Sequence, residues 1–288
     1  MKALSAVDLR RRAVSRAVEV FCAASVVLAL VPLGMILFFV LRQGLPALNG
    51  AFFTEMPKPV GEPGGGMANA MVGTLILVGI AALAAVPVGI ACGVYLSEYR
   101  RARLSTAARF SADVLNGVPS IVIGIFAYQA AVVPFRRFTA LAGGLALGVM
   151  MLPLIIRTTE ELLGLVPPSY REGSLALGAT RARAVWTVVL PAALPGIVTG
   201  VLVALARVAG ETAPLLFTSF NNQFWSTRLD QEIASLTVQV YTYANSPYQD
   251  WHRQAWAGAT VLIASVLFFS LLSRFATRRL ERMHRGTA

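Results

Sequence analysis

An arginine and a glutamate stand four residues apart in a run that is otherwise almost wholly apolar, Leu205-Ala206-Arg207-Val208-Ala209-Gly210-Glu211-Thr212-Ala213-Pro214. On one continuous helix that spacing puts both side chains on the same face, close enough to pair directly. A lone arginine in the middle of a bilayer costs about 2.5–3.5 kcal/mol on insertion scales, so Arg207 is expected to face a polar interior and to hold a partner. Its planar fork of donors also suits the oxygens of phosphate. Gly210 and Pro214 weaken the helix beside the pair and can free backbone groups toward a cavity. A purely structural ion pair locking two helices fits the same residues, and spacing alone leaves both readings open.

A second constellation is suited to docking rather than to binding a solute. Tyr170-Arg171-Glu172-Gly173-Ser174 leads through Leu175-Ala176-Leu177 to Gly178, and nine residues later comes Val188-Val189-Leu190-Pro191. In physical terms this is a short amphipathic helix, a glycine that lets the chain turn, and a second helix running to a proline. Such a hairpin suits a groove on a partner, although an ordinary interfacial hairpin has the same pattern. Other chemistries are poorly provided for. His252 and His284 fall on opposite sides of the inferred membrane, and Cys22 and Cys92 lie in apolar runs, so no metal site is expected. The P-loop needs G-x-x-x-x-G-K-[ST], and Lys2 and Lys58, the only lysines, are in no such context. ATP must therefore be held by another chain.

The elements that position these residues follow from composition. Of 288 residues, 56% are hydrophobic and 14% charged, well below the roughly 25% charge of soluble domains. Six apolar stretches, near 18–41, 70–96, 110–133, 138–160, 190–218 and 255–277, are each long enough for a hydrocarbon core of about 30 Å. Lipid burial forces such segments to be helical, because a helix satisfies its backbone polar groups internally. The expected fold class is all-α membrane with six transmembrane helices.

The net charge of +11 raises the question of nucleic acid, and the placement of the arginines answers it. They cluster at span ends: Arg10, Arg11, Arg12 and Arg16; Arg100, Arg101, Arg103 and Arg109; Arg157, Arg171, Arg181 and Arg183; and from Arg274 to Arg285. With six spans all four groups share one side, and the positive-inside rule puts that side and both termini in the cytoplasm. The clusters lack the interleaved aromatics of a base-stacking surface, so no nucleic-acid partner is expected. The run from Val18 to Leu41 is about twice the length of a signal-peptide apolar region and is read as a true span. Two outer loops stand out: 43–69, rich in proline and glycine and expected to be irregular, and 219–254, with Trp225, Tyr241, Tyr243, Tyr248 and Trp251 and an expected short interfacial helix.

The docking hairpin resembles the EAA loop of binding-protein-dependent ABC importer permeases. Glu172, Gly178, Leu190 and Pro191 match its pattern in register; Gly173 and Ser174 replace two alanines and Val188 an isoleucine. The string from Ala206 to Thr218 is similar to the signature of phosphate importer permeases of the PstA type. So are Asn116-Gly117-Val118-Pro119-Ser120-Ile121-Val122-Ile123-Gly124 and Leu152-Pro153-Leu154-Ile155-Ile156-Arg157-Thr158-Thr159-Glu160. Asn222 to Thr227 and Trp251 with Ala255 to Gly258 extend the likeness, which covers about residues 70–277.

The resemblance implies a type I ABC importer permease (MetI-like) fold. Residues 1–66 hold the first helix and an outer loop, 67–277 the permease core with a coupling loop at about 161–189, and 278–288 a tail. It further implies a heterodimer with a PstC-type permease, a PstB-type ATPase dimer that binds ATP and Mg²⁺, and a PstS-type periplasmic phosphate-binding protein. The implied substrate pathway comprises Arg207, Glu211, Thr212, Arg157, Asn116 and Ser120. Arg157 equally fits an arginine snorkelling to the headgroups. The implied ATPase-coupling surface comprises Arg171, Glu172, Gly178 and Ala179. No cofactor and no enzymatic activity are expected in this chain itself. The competing readings are a permease for phosphonate, sulfate or molybdate, and a regulatory membrane scaffold.

Overall fold

The computed structural model describes residues 6–62 and 64–285, and every regular element among them is helical. In chain order these are α1 (Ala6–Gly44), α2 (Gly50–Thr54), α3 (Ala68–Glu98), α4 (Arg103–Gly117), α5 (Ser120–Ala127), α6 (Val133–Phe135) and α7 (Ala140–Leu165). There follow α8 (Pro168–Ala176), α9 (Arg181–Ala184), α10 (Leu190–Ala209), α11 (Ala213–Thr218), α12 (Leu236–Ala244) and α13 (Gln249–Arg285). Five stretches are long and apolar enough to cross a membrane: 10–47, α3, α7, the run from α9 through α10, and 249–272 of α13. A sixth crossing exists only if the bent pair of α4 with α5–α6 is counted as one.

The centre of the bundle is the contact of α3 with α7. Leu77 packs at Gly143, Ile155 at Gly89 and Thr159 at Gly93, so the contacts advance together along both chains and the helices run parallel. Small residues make this possible: a Cβ on Gly93 would lie 2.5 Å from the Thr159 Cβ. Lipid tails are as apolar as leucine, so helices in a bilayer associate through close packing of this kind. α10 runs antiparallel to α7, with Gly196 against Leu162 and Gly200 against Thr158. By contrast, α1 is exposed over nearly its whole length and meets α13 only near its end, where Phe39 meets Trp256 edge-on at 5.3 Å and the Thr260 hydroxyl donates to the Val40 carbonyl.

Two of the six expected spans are broken. The apolar run expected as one helix over 110–133 bends by 106° between α4 and α5. Pro119 has no N–H to donate and forces Val118 into an extended conformation (φ −72°, ψ 130°). The run expected over 190–218 begins earlier, at Arg181, and stops at Ala209. Gly210, Glu211 and Thr212 lie outside any helix, and α11 starts at Ala213 with Pro214 in its first turn. A π-helical turn over Val185–Val189 joins α9 to α10 just where Pro191 lacks the amide that would continue the regular ladder.

The stretch 43–69 is irregular except for α2, capped by the Asn49 side chain (2.8 Å to the Phe52 amide), and one turn at Leu45–Ala47. In 219–254 the short helix exists as α12, but it is packed into the body rather than lying at an interface: Leu236, Val238, Gln239 and Tyr243 are buried, and Tyr243 stacks on Trp251 at 4.3 Å. The segment before α12 offers the carbonyls of Thr218, Gln231 and Leu229 to the amides of Thr139, Ala140 and Leu141. These bonds satisfy donors at the start of α7 that have no partner within the helix.

Candidate functional site

The expected Arg207–Glu211 pair does not form. α10 ends at Ala209, the Gly210 amide donates to the Arg207 carbonyl (3.2 Å), and Glu211 lies past the helix end, where i,i+4 geometry no longer applies. Pro214 cannot donate back to Gly210, and glycine leaves the helical ladder at little cost, so the chain breaks between them. The break is held by the Thr237 hydroxyl, which donates to the Glu211 carbonyl at 2.9 Å. Arg207 is exposed on the last turn of α10 and Glu211 is half-buried; neither side chain has an ionic partner among the described residues.

The depth of Arg207 follows from register. Gly200 packs against Thr158, seven residues before the end of α7, and Arg207 lies seven residues further from that end. At 1.5 Å per residue, Arg207 stands about 20 Å above the C-terminal end of α7, near mid-depth in a core of about 30 Å. A partnerless guanidinium at that level is not tolerated by lipid and marks a polar cavity or a protein partner.

Arg157 is differently placed. Its Nε and Nη2 grip both oxygens of Asp113 on α4 (2.8 and 2.5 Å), and Nη1 holds Glu160 at 3.1 Å. Glu160 in turn accepts from Nε of Arg109 (2.5 Å), whose remaining nitrogens donate to the carbonyls of Arg100 and Leu96. Arg157 is therefore a member of a four-residue ion network joining α4 to α7, not a snorkelling side chain. Asp113, Glu160 and Arg109 were not singled out from sequence. They lie 44, 3 and 48 residues from Arg157, and only the Glu160 spacing is a helical signal.

Asn116 and Ser120 flank the α4–α5 bend, Asn116 exposed and Ser120 half-buried. One turn beyond Ser120, Gly124 allows α5 to approach Pro214, where a Cβ would lie 2.8 Å from the Pro214 Cα. That contact joins the bend to the Gly210–Thr212 break. The six candidate pathway residues thus form two groups: Arg157, Asn116 and Ser120 around the bend, and Arg207, Glu211 and Thr212 around the break.

The docking hairpin has the expected shape. α8 ends at Ala176, and two residues on Gly178 turns the chain at a φ of +84°, the left-handed conformation glycine adopts without strain. Thr180 then caps α9 through its hydroxyl (3.3 Å to the Arg183 amide). Glu172 is exposed, Ala179 is half-buried, and Leu177 at the tip is 90% exposed. Arg171 points the other way: it bonds Glu98 at the end of α3 (3.1 and 3.2 Å) and the carbonyls of Leu163 and Val166 at the end of α7. A force applied to the hairpin is thereby passed to both central helices. No His, Cys, Asp or Glu group among the described residues has metal-binding geometry.

Comparison with known proteins bears on the family and the fold. The family model described as "Binding-protein-dependent transport system inner membrane component" matches residues 85–285. The "Phosphate transport system permease protein PstA" of Yersinia pestis is 43% identical over 265 residues, spanning 92% of this chain and 90% of that protein. "PstA 1" of Mycobacterium tuberculosis is 37% identical, spanning 96% and 92% respectively. Among solved structures, a chain of the inward-facing MetNI methionine ABC transporter aligns with TM-score 0.54 at 20% identity, covering 75% of this chain and 92% of that one. A chain of a bacterial alginate ABC transporter aligns with TM-score 0.60 at 12% identity, covering 97% and 96%. At these identities the solved structures bear on the fold alone, which is that of the MetI-like ABC permeases.

Proposed function

The chain belongs to the family of binding-protein-dependent transport system inner membrane components, and we propose that it passes inorganic phosphate through a bacterial inner membrane as one half of a heterodimeric permease. It is a multi-pass membrane subunit, not an enzyme, and it works with a separate ATPase and a substrate-binding protein. In the proposed complex the second half is a PstC-type permease, ATP and Mg²⁺ sit on a PstB-type ATPase dimer, and phosphate is delivered by a PstS-type protein. The permease core is 67–277 with its coupling loop at 161–189, and both termini lie in the cytoplasm, a placement supported by the arginines at the hairpin end of the bundle.

The observation that carries this reading is Arg207: exposed, without a carboxylate partner among the described residues, and near mid-depth at a helix break. A guanidinium so placed attracts an oxyanion and presents paired donors to it. Relatives over 90% or more of this chain bear the name of phosphate permeases. In the cycle, the ATPase dimer closes on the hairpins, Arg171 passes the movement to α3 and α7, and alternating access exposes Arg207 first to the binding protein and then to the Arg157 level below. Arg207 and Arg157 lie about 10 Å apart in depth by helix register, two basic steps on one route.

The test is reconstitution of the complex in proteoliposomes with labelled phosphate outside and ATP inside. Uptake should require ATP and the binding protein and should resist a large excess of sulfate, molybdate or phosphonate. Uptake inhibited equally by one of those anions would reassign the substrate, and a complex that binds its partners but moves no anion would leave a scaffold.

A further inference from the structure

We propose that Asp113 is an internal stand-in for the transported anion, occupying Arg157 when phosphate is absent and displacing phosphate from it on the way out. The inference rests on the phosphate reading above and adds a residue to it that the pathway signature does not include.

The argument begins with the two carboxylates on Arg157. Glu160 is fixed: its side chain is 13% exposed and it accepts from both Arg157 and Arg109. Asp113 is not. Its side chain is 53% exposed, and its hydrogen bonds among the described residues are those to Arg157 alone. The edge of the guanidinium that Asp113 covers, Nε with Nη2, is the edge that takes two oxygens side by side, and two phosphate oxygens present the same fork. Arg109 offers no alternative, since its three nitrogens are engaged by Glu160, Arg100 and Leu96.

Charge makes the two occupants mutually exclusive. Arg109 and Arg157 balance Asp113 and Glu160, so the network is neutral as it stands. Phosphate arriving with Asp113 in place would add uncompensated negative charge beside a carboxylate, whereas phosphate replacing Asp113 restores the balance. Asp113 sits on α4 one turn before Asn116, at the bend that also carries Ser120, so a carboxylate released from Arg157 stays tethered beside it. That tether gives Asp113 a high effective concentration, and its return drives the anion off. The same competition keeps phosphate on the cytoplasmic side from reloading Arg157.

The experiment uses the reconstituted complex with the ATP-containing lumen as the cytoplasmic side. Labelled phosphate uptake is measured against increasing unlabelled phosphate inside. In Asp113→Asn the competing charge is gone, and the lumenal phosphate that halves uptake should fall about tenfold, the effect of about one charge-assisted hydrogen bond. Asp113→Glu, which keeps the carboxylate, should retain the wild-type value. If Asp113→Asn takes up too little phosphate to be titrated, equilibrium binding of labelled phosphate to the nucleotide-free complex replaces the assay, and affinity should rise by a similar factor. An unchanged half-inhibiting concentration, or unchanged binding, overturns the proposal and leaves Asp113 a helix latch. A wild-type complex that fails to take up phosphate at all overturns the phosphate reading and this inference with it; wild-type uptake with an indifferent Asp113→Asn overturns this inference alone.

Discussion

Replacing Arg207 by glutamine separates a substrate contact from a structural ion pair, because the two make opposite demands on stability. If Arg207 and Glu211 were a buried pair, removing one partner would strand the other and cost about 3–5 kcal/mol. In the structure the helix has already ended at Ala209, Arg207 is exposed, and no carboxylate among the described residues is paired with it. The cost of Arg207→Gln is then that of a surface change, within about 0.5 kcal/mol. On the proposed role the transport cost is large: two charge-assisted hydrogen bonds to phosphate, at about 1.5–3 kcal/mol each, amount to more than a hundredfold in rate. Arg207→Gln should therefore reach the membrane at normal abundance, copurify with its partners, and lose phosphate uptake by at least two orders of magnitude. Glu211→Gln added to it should restore nothing. Uptake within tenfold of wild type would remove Arg207 from the pathway. A loss of abundance repaired by the double change would show that the two side chains do pair in the membrane.

Other outcomes follow from particular contacts. Gly178→Asp places a side chain at φ +84° and a charge on an otherwise open hairpin tip, so insertion should survive while ATPase copurification and ATP-driven uptake fall together. Gly93→Val drives a branched side chain into Thr159 and should destabilise the α3–α7 contact by about 1–3 kcal/mol, read as lower membrane abundance and earlier thermal aggregation in detergent. In a background lacking Cys22 and Cys92, Phe224→Cys should react with an impermeant thiol reagent in intact cells and Arg101→Cys only after permeabilisation; the reverse would invert the proposed topology.

Hydropathy located the membrane-crossing helices well because lipid leaves a helix no alternative, but it could not locate the two breaks. Proline alone was no guide: Pro32, Pro87, Pro153 and Pro195 all lie inside intact helices of this chain. What sets Pro119 apart is the segment before it, where α4 carries Arg103, Arg109 and Asp113 and so has a polar face that lipid would not accept. A neutral helix can continue through a proline, whereas an amphipathic one lies elsewhere and must turn to enter the bundle. At the second break the signal was a glycine four residues before Pro214, at the carbonyl the proline leaves unbonded. The hairpin was legible down to Gly178 because its geometry is local. The partners of Arg157 and Arg171 were not, since Asp113 and Glu98 lie 44 and 73 residues away and no period connects them.

The contrast between the two proposed pathway arginines bears on where the rest of the permease must lie. Arg157 is paired with two carboxylates within the chain, on the side of α7 covered by α4. Arg207 and Glu211 carry opposite charges near mid-depth, unpaired among the described residues and not fully buried, at the junction where α10 ends and α11 begins. Each charge left in hydrocarbon would cost about 2.5–3.5 kcal/mol, and no internal packing offsets that. The face bearing Arg207 therefore cannot be a lipid face. It must close against another protein surface or a water-filled space, as the proposed second half would provide, while the exposed apolar lengths of α1 and α13 take the bilayer. In the proposed heterodimer, the partner half should bring the groups that complete the site around Arg207.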